Sequence, residues 1–408
     1  MIRNFDYQTN AVTRVSRAAS LPCIAKLLLA AALLSYAPAM RAASSPYGYQ
    51  VFAKAGDVIG DITLDTISSA FMSDDGSVVF VGRYSSCCEA LFFKRSAAAK
   101  GRILIRQGDL IDGQSISSFQ SVKRNDRGEI VFSAIIGDGS SVGIFRLKSA
   151  VALPGETLGG ITLTNLFGDF DLNDRREIVF DGFSGSPADG AVYGIFTPDR
   201  VIVRSGDVID GLTLQVPGEP TLSKDGLVAF TSTFEDSKGQ LGIGVFTPHR
   251  LVVKGGDTLD GLPLLGLGEA IISERGVIGI AFDYSVDPIL QAFAVGGKIA
   301  VKSGDVIDGF TIVGQPDGIP FPATLNANGE VLFTTGAISP GGATEFALFT
   351  THHLVAAPGD TIEGLTAQGG VNSGSINDAG QVAFLLFLDR GDSQAALIVA
   401  TPKGLSAP

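Results

Sequence analysis

From residue 49 onward, apolar and polar positions alternate in short runs punctuated by glycine and by Asp or Asn, as in Glu129-Ile130-Val131-Phe132, Val201-Ile202-Val203 and Leu251-Val252-Val253. Runs of this length with period-two alternation between turn residues predict β-strands, and no segment after the leader carries the 3.6-residue period of a helix. The 52 glycines recur at regular intervals, which places them in turns and not in a low-complexity tract.

Two landmarks each recur seven times. A turn of the form G-D-x-[IL]-D-G stands at residues 56–61, 108–113, 155–160, 206–211, 256–261, 304–309 and 359–364. Its Asp can bond nearby backbone amides, its Asp-Gly pair suits the positive φ of a tight turn, and its aliphatic residue is expected to point inward. A hairpin of the form N-x-x-G-x-[IV]-x-F is clearest at Asn125–Phe132, Asn326–Phe333 and Asn377–Phe384. Looser copies run Ser73–Phe80, Asn173–Phe180 with Arg176 in the glycine place, Ser223–Phe230, and Ser273–Ile280 with Ile280 in the Phe place. The form suits a type I turn closed by a left-handed glycine. Successive copies are 48 to 53 residues apart.

A third run follows most hairpins, as in Gly143-Ile144-Phe145, Gly194-Ile195-Phe196 and Gly244-Val245-Phe246, and a short turn then leads to a β-branched strand. Each repeat of about 50 residues thus supplies four short strands, and four-stranded sheets repeated radially make a β-propeller. The expected fold is all-β, a seven-bladed propeller over residues 49–400. The strand Tyr49-Gln50-Val51-Phe52 lacks a hairpin partner, and Ala396-Leu397-Ile398-Val399 lacks a following strand. Residues 49–54 are therefore expected to pair with residues 395–400 and close the ring, removing two free sheet edges. An open β-solenoid would leave both fragments unpaired.

The seven hairpins resemble the tandem repeats of exported bacterial "choice-of-anchor" proteins with NxxGxxAF repeats. The resemblance spans nearly all of the chain after the leader and implies export and a repeat fold. It brings no activity and no catalytic residues. Those proteins often end in a surface-sorting segment, whereas Thr401-Pro402-Lys403-Gly404-Leu405 carries no apolar tail or basic cluster.

Residues 1–39 read as a signal peptide: Arg14, Arg17 and Lys26 precede the apolar run Leu27–Leu34, and Ala37-Pro38-Ala39 is an A-x-A cleavage site. The apolar run is shorter than the roughly 20 residues of a spanning helix, so no membrane span is expected after cleavage. Residues 40–48 form a linker and 401–408 a tail. The expected location is the periplasm or the extracellular space. Cleavage takes away four basic residues and one acid, and the formal charge moves from −12 to −15. A field of this sign repels nucleic acid and anionic membrane and favours solubility and cations.

The acids of the first landmark, Asp57, Asp109, Glu156, Asp207, Asp257, Asp305 and Asp360, would lie toward one face of the disc if the turns join the outer strand of one blade to the inner strand of the next. They are the candidate metal-binding ring, with calcium as the candidate ion, since hard cations take clustered carboxylate oxygens. The competing role is capping of each turn by its own carboxylate. No other cofactor is expected. Cys87 and Cys88 remain after cleavage; in an oxidising compartment they form a vicinal disulfide or stay as two thiols, and zinc lacks ligands. His249, His352 and His353 all fall in the turn after the third strand, so no Ser-His-Asp or Cys-His arrangement is indicated. The phenylalanines, among them Phe132, Phe230, Phe333 and Phe384, fall at inward strand positions and are expected in the core.

The sequence names no substrate and no catalytic residue. The leading expectation is a non-enzymatic binding or structural protein, monomeric, whose partner is an extracellular or envelope protein, a polymer or an ion. The alternative is a propeller hydrolase or lyase with acidic residues at the channel mouth.

Overall fold

The computed structural model describes residues 45–186, 190–315, 323–389, 391 and 394–404, so the expected leader lies outside the described residues. Each repeat becomes one antiparallel sheet. Blade 1 consists of Thr66–Met72, Val78–Tyr84, Cys88–Lys94 and Arg102–Arg106 in that spatial order, and blades 2 to 5 repeat it. Blade 6 divides its first strand into Phe310–Gly314 and Ala323–Leu325, both paired with Val331–Ile338. No helix occurs among the described residues.

Blade 7 takes Val371–Ile376, Val382–Phe387 and Ala395–Pro402 from the end of the chain and its outer strand, Tyr47–Ala53, from the beginning. The register sets Tyr49 opposite Ala400 and Val51 opposite Ile398. The expected closure therefore holds and the solenoid does not. The first strand of every blade packs on that of the next, and the seventh on the first, so these strands form the innermost ring around an axial channel. The fold is a seven-bladed β-propeller.

Phenylalanine pairs hold the blades. Phe80 stacks on Phe92 at 5.2 Å between ring centroids, Phe132 on Phe145 at 5.6 Å, and Phe180 on Phe196, Phe230 on Phe246 and Phe333 on Phe349 each at 5.8 Å. Each pair joins the second and third strands and lies in the packing between neighbouring blades; Phe80 and Phe92, for example, share a cluster with Leu385 and Leu397 of blade 7. Full burial of one such side chain stabilises the fold by roughly 1.5–3 kcal/mol.

The recurrent Asn and Ser that open the hairpins do more than shape a turn. All seven are buried. Asn125 Nδ2 donates to the Asn173 carbonyl at 3.0 Å, Asn173 Nδ2 to the Ser223 carbonyl at 3.0 Å, Asn326 Nδ2 to the Asn377 carbonyl at 3.1 Å and Asn377 Nδ2 to the Ser73 carbonyl at 3.3 Å. Ser73 Oγ continues the series to the Arg124 carbonyl. Every bond runs from one blade to the next in the same sense around the axis. The hairpin closes in the left-handed region, at Gly128 with φ 83° and, in blade 3, at Arg176 with φ 66°.

The channel consequently has two unlike mouths. One is ringed by the N-x-x-G hairpins and the turns that carry the histidines. The other is bordered by the G-D turns and the loops between second and third strands.

Candidate ligand-binding channel

In the G-D turns, the expected acids bond to their own backbone. The Asp57 carboxylate accepts from the Lys54 amide at 3.0 Å, Asp109 from Arg106 at 2.8 Å, Asp207 from Arg204 at 2.9 Å, Asp257 from Lys254 at 3.0 Å, Asp305 from Lys302 at 2.9 Å and Asp360 from Ala357 at 2.8 Å. Each turn directly follows an outer strand, so these acids begin at the rim. Lys254 and Lys302 also pair with Asp257 and Asp305. Glu156 occupies the same place in blade 3's turn. None of the seven belongs to the carboxylate clusters found among the described residues.

The acids that do converge occupy the second position of the N-x-x-G hairpins. Asp74, Glu274 and Asp378 bring carboxylate oxygens within 4.8 Å of one another, as do Asp126, Asp174 and Glu274. The hairpin backbone places them there. The Asp378 amide donates to Asp74 Oδ1 at 2.8 Å, the Asp74 amide to Asp126 Oδ1 at 3.3 Å, the Asp126 amide to Asp174 Oδ1 at 2.9 Å and the Ala327 amide to Asp378 Oδ1 at 2.7 Å. One oxygen of each of the four aspartates is thus tied to the neighbouring blade while the carboxylates gather at the mouth. Lys224 bonds Asp174 at 2.9 Å and approaches Glu274 at 3.5 Å. Burial, followed by Asp126 and Asp378, pushes the Asp74 carboxyl up to about 6. Burial, followed by Asp74, pushes Glu274 up to about 7 against the pull of Lys224. The sequence held a signal for this cluster: an acid follows the first hairpin residue in five of seven copies.

A second group lies deeper. Asp169, Glu219 and Glu269 each stand four residues before the first hairpin residue of their blade, on the innermost strands of blades 3, 4 and 5. They are solvent-accessible yet hemmed in by the channel wall. This crowding raises all three carboxyls, Glu219 to about 7, with Glu269 and Asp169 adding to it. Asp181, in the second strand of blade 3, is 2% exposed; burial, then Asp169, holds its carboxyl well above the usual range. Lys123 is bound to Asp171 at 2.9 Å.

The remaining candidates lie outside the two carboxyl groups. Cys87 and Cys88 lie where the second and third strands of blade 1 meet, with sulfurs 2.9 Å apart. His352 and His353 line a cleft of about 390 Å³ at the closing seam, with Tyr47, Glu330, Asp378 and Lys403. His353 Nδ1 is 3.4 Å from Asp308.

The sheets define a β-propeller with an acidic axial channel. A family described as "Family of unknown function (DUF7453)" matches residues 39–263, more than half of the chain, and the chain belongs to that family. No curated protein matches it. Similar solved structures include the WD40 β-propeller domain of Doa1, at 11% identity over 88% of this chain and 98% of that one with a TM-score of 0.40. The Cps50 (Swd1) β-propeller domain of Myceliophteria thermophila is 8% identical over 86% and 99%, TM-score 0.41. Trypanosoma rangeli sialidase is 14% identical over 88% and 58%, TM-score 0.34. At these scores the architecture rests on the chain's own sheets and their register.

Proposed function

We propose that this chain is an exported, non-enzymatic binding protein that takes a cationic ligand into the acidic mouth of its propeller, with calcium as the candidate ion. The observation that carries the reading is the convergence of Asp74, Asp126, Asp174, Glu274 and Asp378, from blades 1, 2, 3, 5 and 7, on the axis. Hard cations are bound by clustered carboxylate oxygens and take 6–8 ligands when the ion is calcium. Export follows from the leader-like residues 1–39 and from the resemblance to NxxGxxAF-repeat proteins; the acidic charge fits an ion, a basic protein or a cationic polymer as partner. A ligand that binds only the folded chain raises its melting temperature with concentration. Titration with calcium, magnesium and EDTA is therefore the test. A rise with calcium that disappears in Asp74→Asn/Asp378→Asn supports the reading, and an unchanged melting temperature in all three removes it.

One observation favours a second reading. Glu219, raised to about 7 in an accessible channel beside other carboxyls, has the proton affinity of a general acid, as hydrolases or lyases with paired carboxylates require. A hydrolase and lyase panel on polysaccharide and ester substrates, run with Glu219→Gln as control, separates the two.

A further inference from the structure

At the opposite mouth, blade 3 presents an aromatic cluster that the core does not need. Phe167 packs on Phe183 at 5.3 Å between ring centroids and lies nearly parallel to Tyr193 at 6.1 Å, with Phe183 and Tyr193 also 6.1 Å apart. Phe167 is nevertheless 45% exposed and Phe183 half-buried, whereas Phe170, Phe180 and Phe196 of the same blade are buried completely or nearly so.

A register break recurs in the innermost strand of every blade, and in blade 3 it falls at Phe167. The innermost strand Asn165–Leu172 loses register between Leu166 and Phe170, and Gly168 adopts φ +100° where an added Cβ would meet Gln120 Oε1 at 2.5 Å. The facing strand of blade 4, Leu212–Leu222, is also irregular, between Gly218 and Thr221, and Glu219 there holds a left-handed φ of 53°. Bulges of this kind commonly re-aim side chains at sites.

Carboxyls share the strands that carry the aromatic rings. Asp181 and Phe183 alternate onto one face of their strand, opposite Ile195 and Tyr193 of the next. Asp181 Oδ2 accepts from the Glu219 amide at 3.1 Å, whereas its Oδ1 is buried with no hydrogen-bond partner. An unpaired buried carboxyl oxygen is costly and calls for a partner. Asp169 follows Phe167 by two residues, and Glu219 and Glu269 stand at the same level of the channel.

We propose that Phe167, Phe183 and Tyr193 with Asp169, Asp181 and Glu219 form a binding site for an organic cation, a quaternary or protonated amine or a guanidinium. The aromatic faces attract a cation through their quadrupoles, and a cation held beside the carboxyls favours their ionised form, which then supplies the counter-charge. A neutral sugar would also stack on the rings, but it carries no charge to draw the carboxyls into their ionised form. This site is separate from the calcium site proposed above and goes beyond that reading.

The test is calorimetric titration of the mature chain with choline, with its neutral isostere 3,3-dimethylbutan-1-ol, with arginine methyl ester and with methyl glucoside. The proposal expects one choline or arginine ester site per chain, an isostere bound about tenfold more weakly or worse, and weaker cation binding at pH 5 than at pH 8. Phe167→Ala, at a half-exposed position, should weaken choline about tenfold, a loss of roughly 1.4 kcal/mol, while leaving the calcium response intact; Asp74→Asn/Asp378→Asn should do the reverse. Asp169→Asn provides a second variant should Asp181→Asn fail to fold. Absence of heat with both cations overturns the proposal. Equal affinity for the isostere, tighter binding of methyl glucoside, or a Phe167→Ala chain that binds choline unchanged does so as well.

Discussion

The Val51 amide donates a hydrogen bond to Glu363 Oε2 at 3.1 Å, across 312 residues of sequence. Glu363 is the second acid of its G-D turn. The same position bonds the outer strand in other blades: Asp112 accepts from Ala150 at 2.8 Å, Asp210 from Leu251 at 2.7 Å, Asp260 from Ile299 at 3.0 Å and Asp308 from Leu354 at 2.8 Å. In five of the seven blades the turn thus clips the outer strand of the blade it enters, Gly60 and Gly159 taking the place of the acid in the other two. In blade 7 the clipped strand is the start of the chain. Glu363→Ala should cost about 1 kcal/mol and speed hydrogen exchange in residues 47–53 selectively. Uniform exchange in that segment and elsewhere would show that the clip contributes nothing.

The inter-blade asparagines should be the most sensitive polar positions of the scaffold. Asn173 donates to the Ser223 carbonyl and to Glu177, and its Oδ1 accepts from the Arg175 and Glu177 amides at 3.0 Å each. Asn173→Ala strands several of these buried groups and should lower unfolding free energy by about 2–3 kcal/mol. Denaturant unfolding checks it; a loss below about 0.5 kcal/mol would mean that the seam is held by apolar packing alone.

Arg176 carries the left-handed φ that glycine supplies in the other hairpins. Such a conformation costs a non-glycine residue roughly 1–2 kcal/mol. Its contact with Glu129, at 3.6 Å, is exposed on the arginine side, and Glu129 keeps Arg146 at 2.6 Å. Arg176→Gly should therefore raise the melting temperature, with a gain of about 1 kcal/mol. A fall would give the ion pair the larger share.

Acidification should stabilise this protein between pH 8 and pH 5. Glu219 and Glu274 are raised from 4.5 to about 7 and Asp74 from 3.8 to about 6, so the folded chain binds these protons more tightly than the unfolded one. Their contribution is fully present below about pH 4 and is lost as pH rises through about 6 to 7. Asp75, Asp138, Asp236 and Asp260 are lowered and oppose this only under more acidic conditions. Melting curves should rise toward pH 5 and flatten in Glu219→Gln/Glu274→Gln; a lower melting temperature at pH 5 than at pH 8 would contradict the burial of these carboxyls.

Blade number, strand count and closure were legible because each leaves a local mark: Phe132 at a fixed distance from Asn125, and Val51 without its hairpin partner. The site was less so. Asp57 and its counterparts are marked by a repeated motif, and they bond the amides of residues such as Lys54 and Arg106 three places earlier. Asp74 and Asp378 lie 304 residues apart, and only closure brings them into contact. A polar position in a turn does not say which blade its side chain will reach. The phenylalanines show the same division: the periodic Phe132 and Phe230 are core, while Phe167, outside the period, is half-exposed on an innermost strand.

The most direct test of ring closure, on which both proposed sites depend, is a designed cross-link. Gly48 stands opposite Thr401, and an added Cβ at Gly48 meets nothing closer than the Thr401 carbonyl at 3.9 Å. In a chain carrying Cys87→Ser and Cys88→Ser, the pair Gly48→Cys/Thr401→Cys should oxidise to an intramolecular disulfide, read by mass and non-reducing electrophoresis, and raise the melting temperature. Monomer that stays reduced under conditions that oxidise surface thiols, or that cross-links only between chains, would contradict a propeller closed by its own two ends.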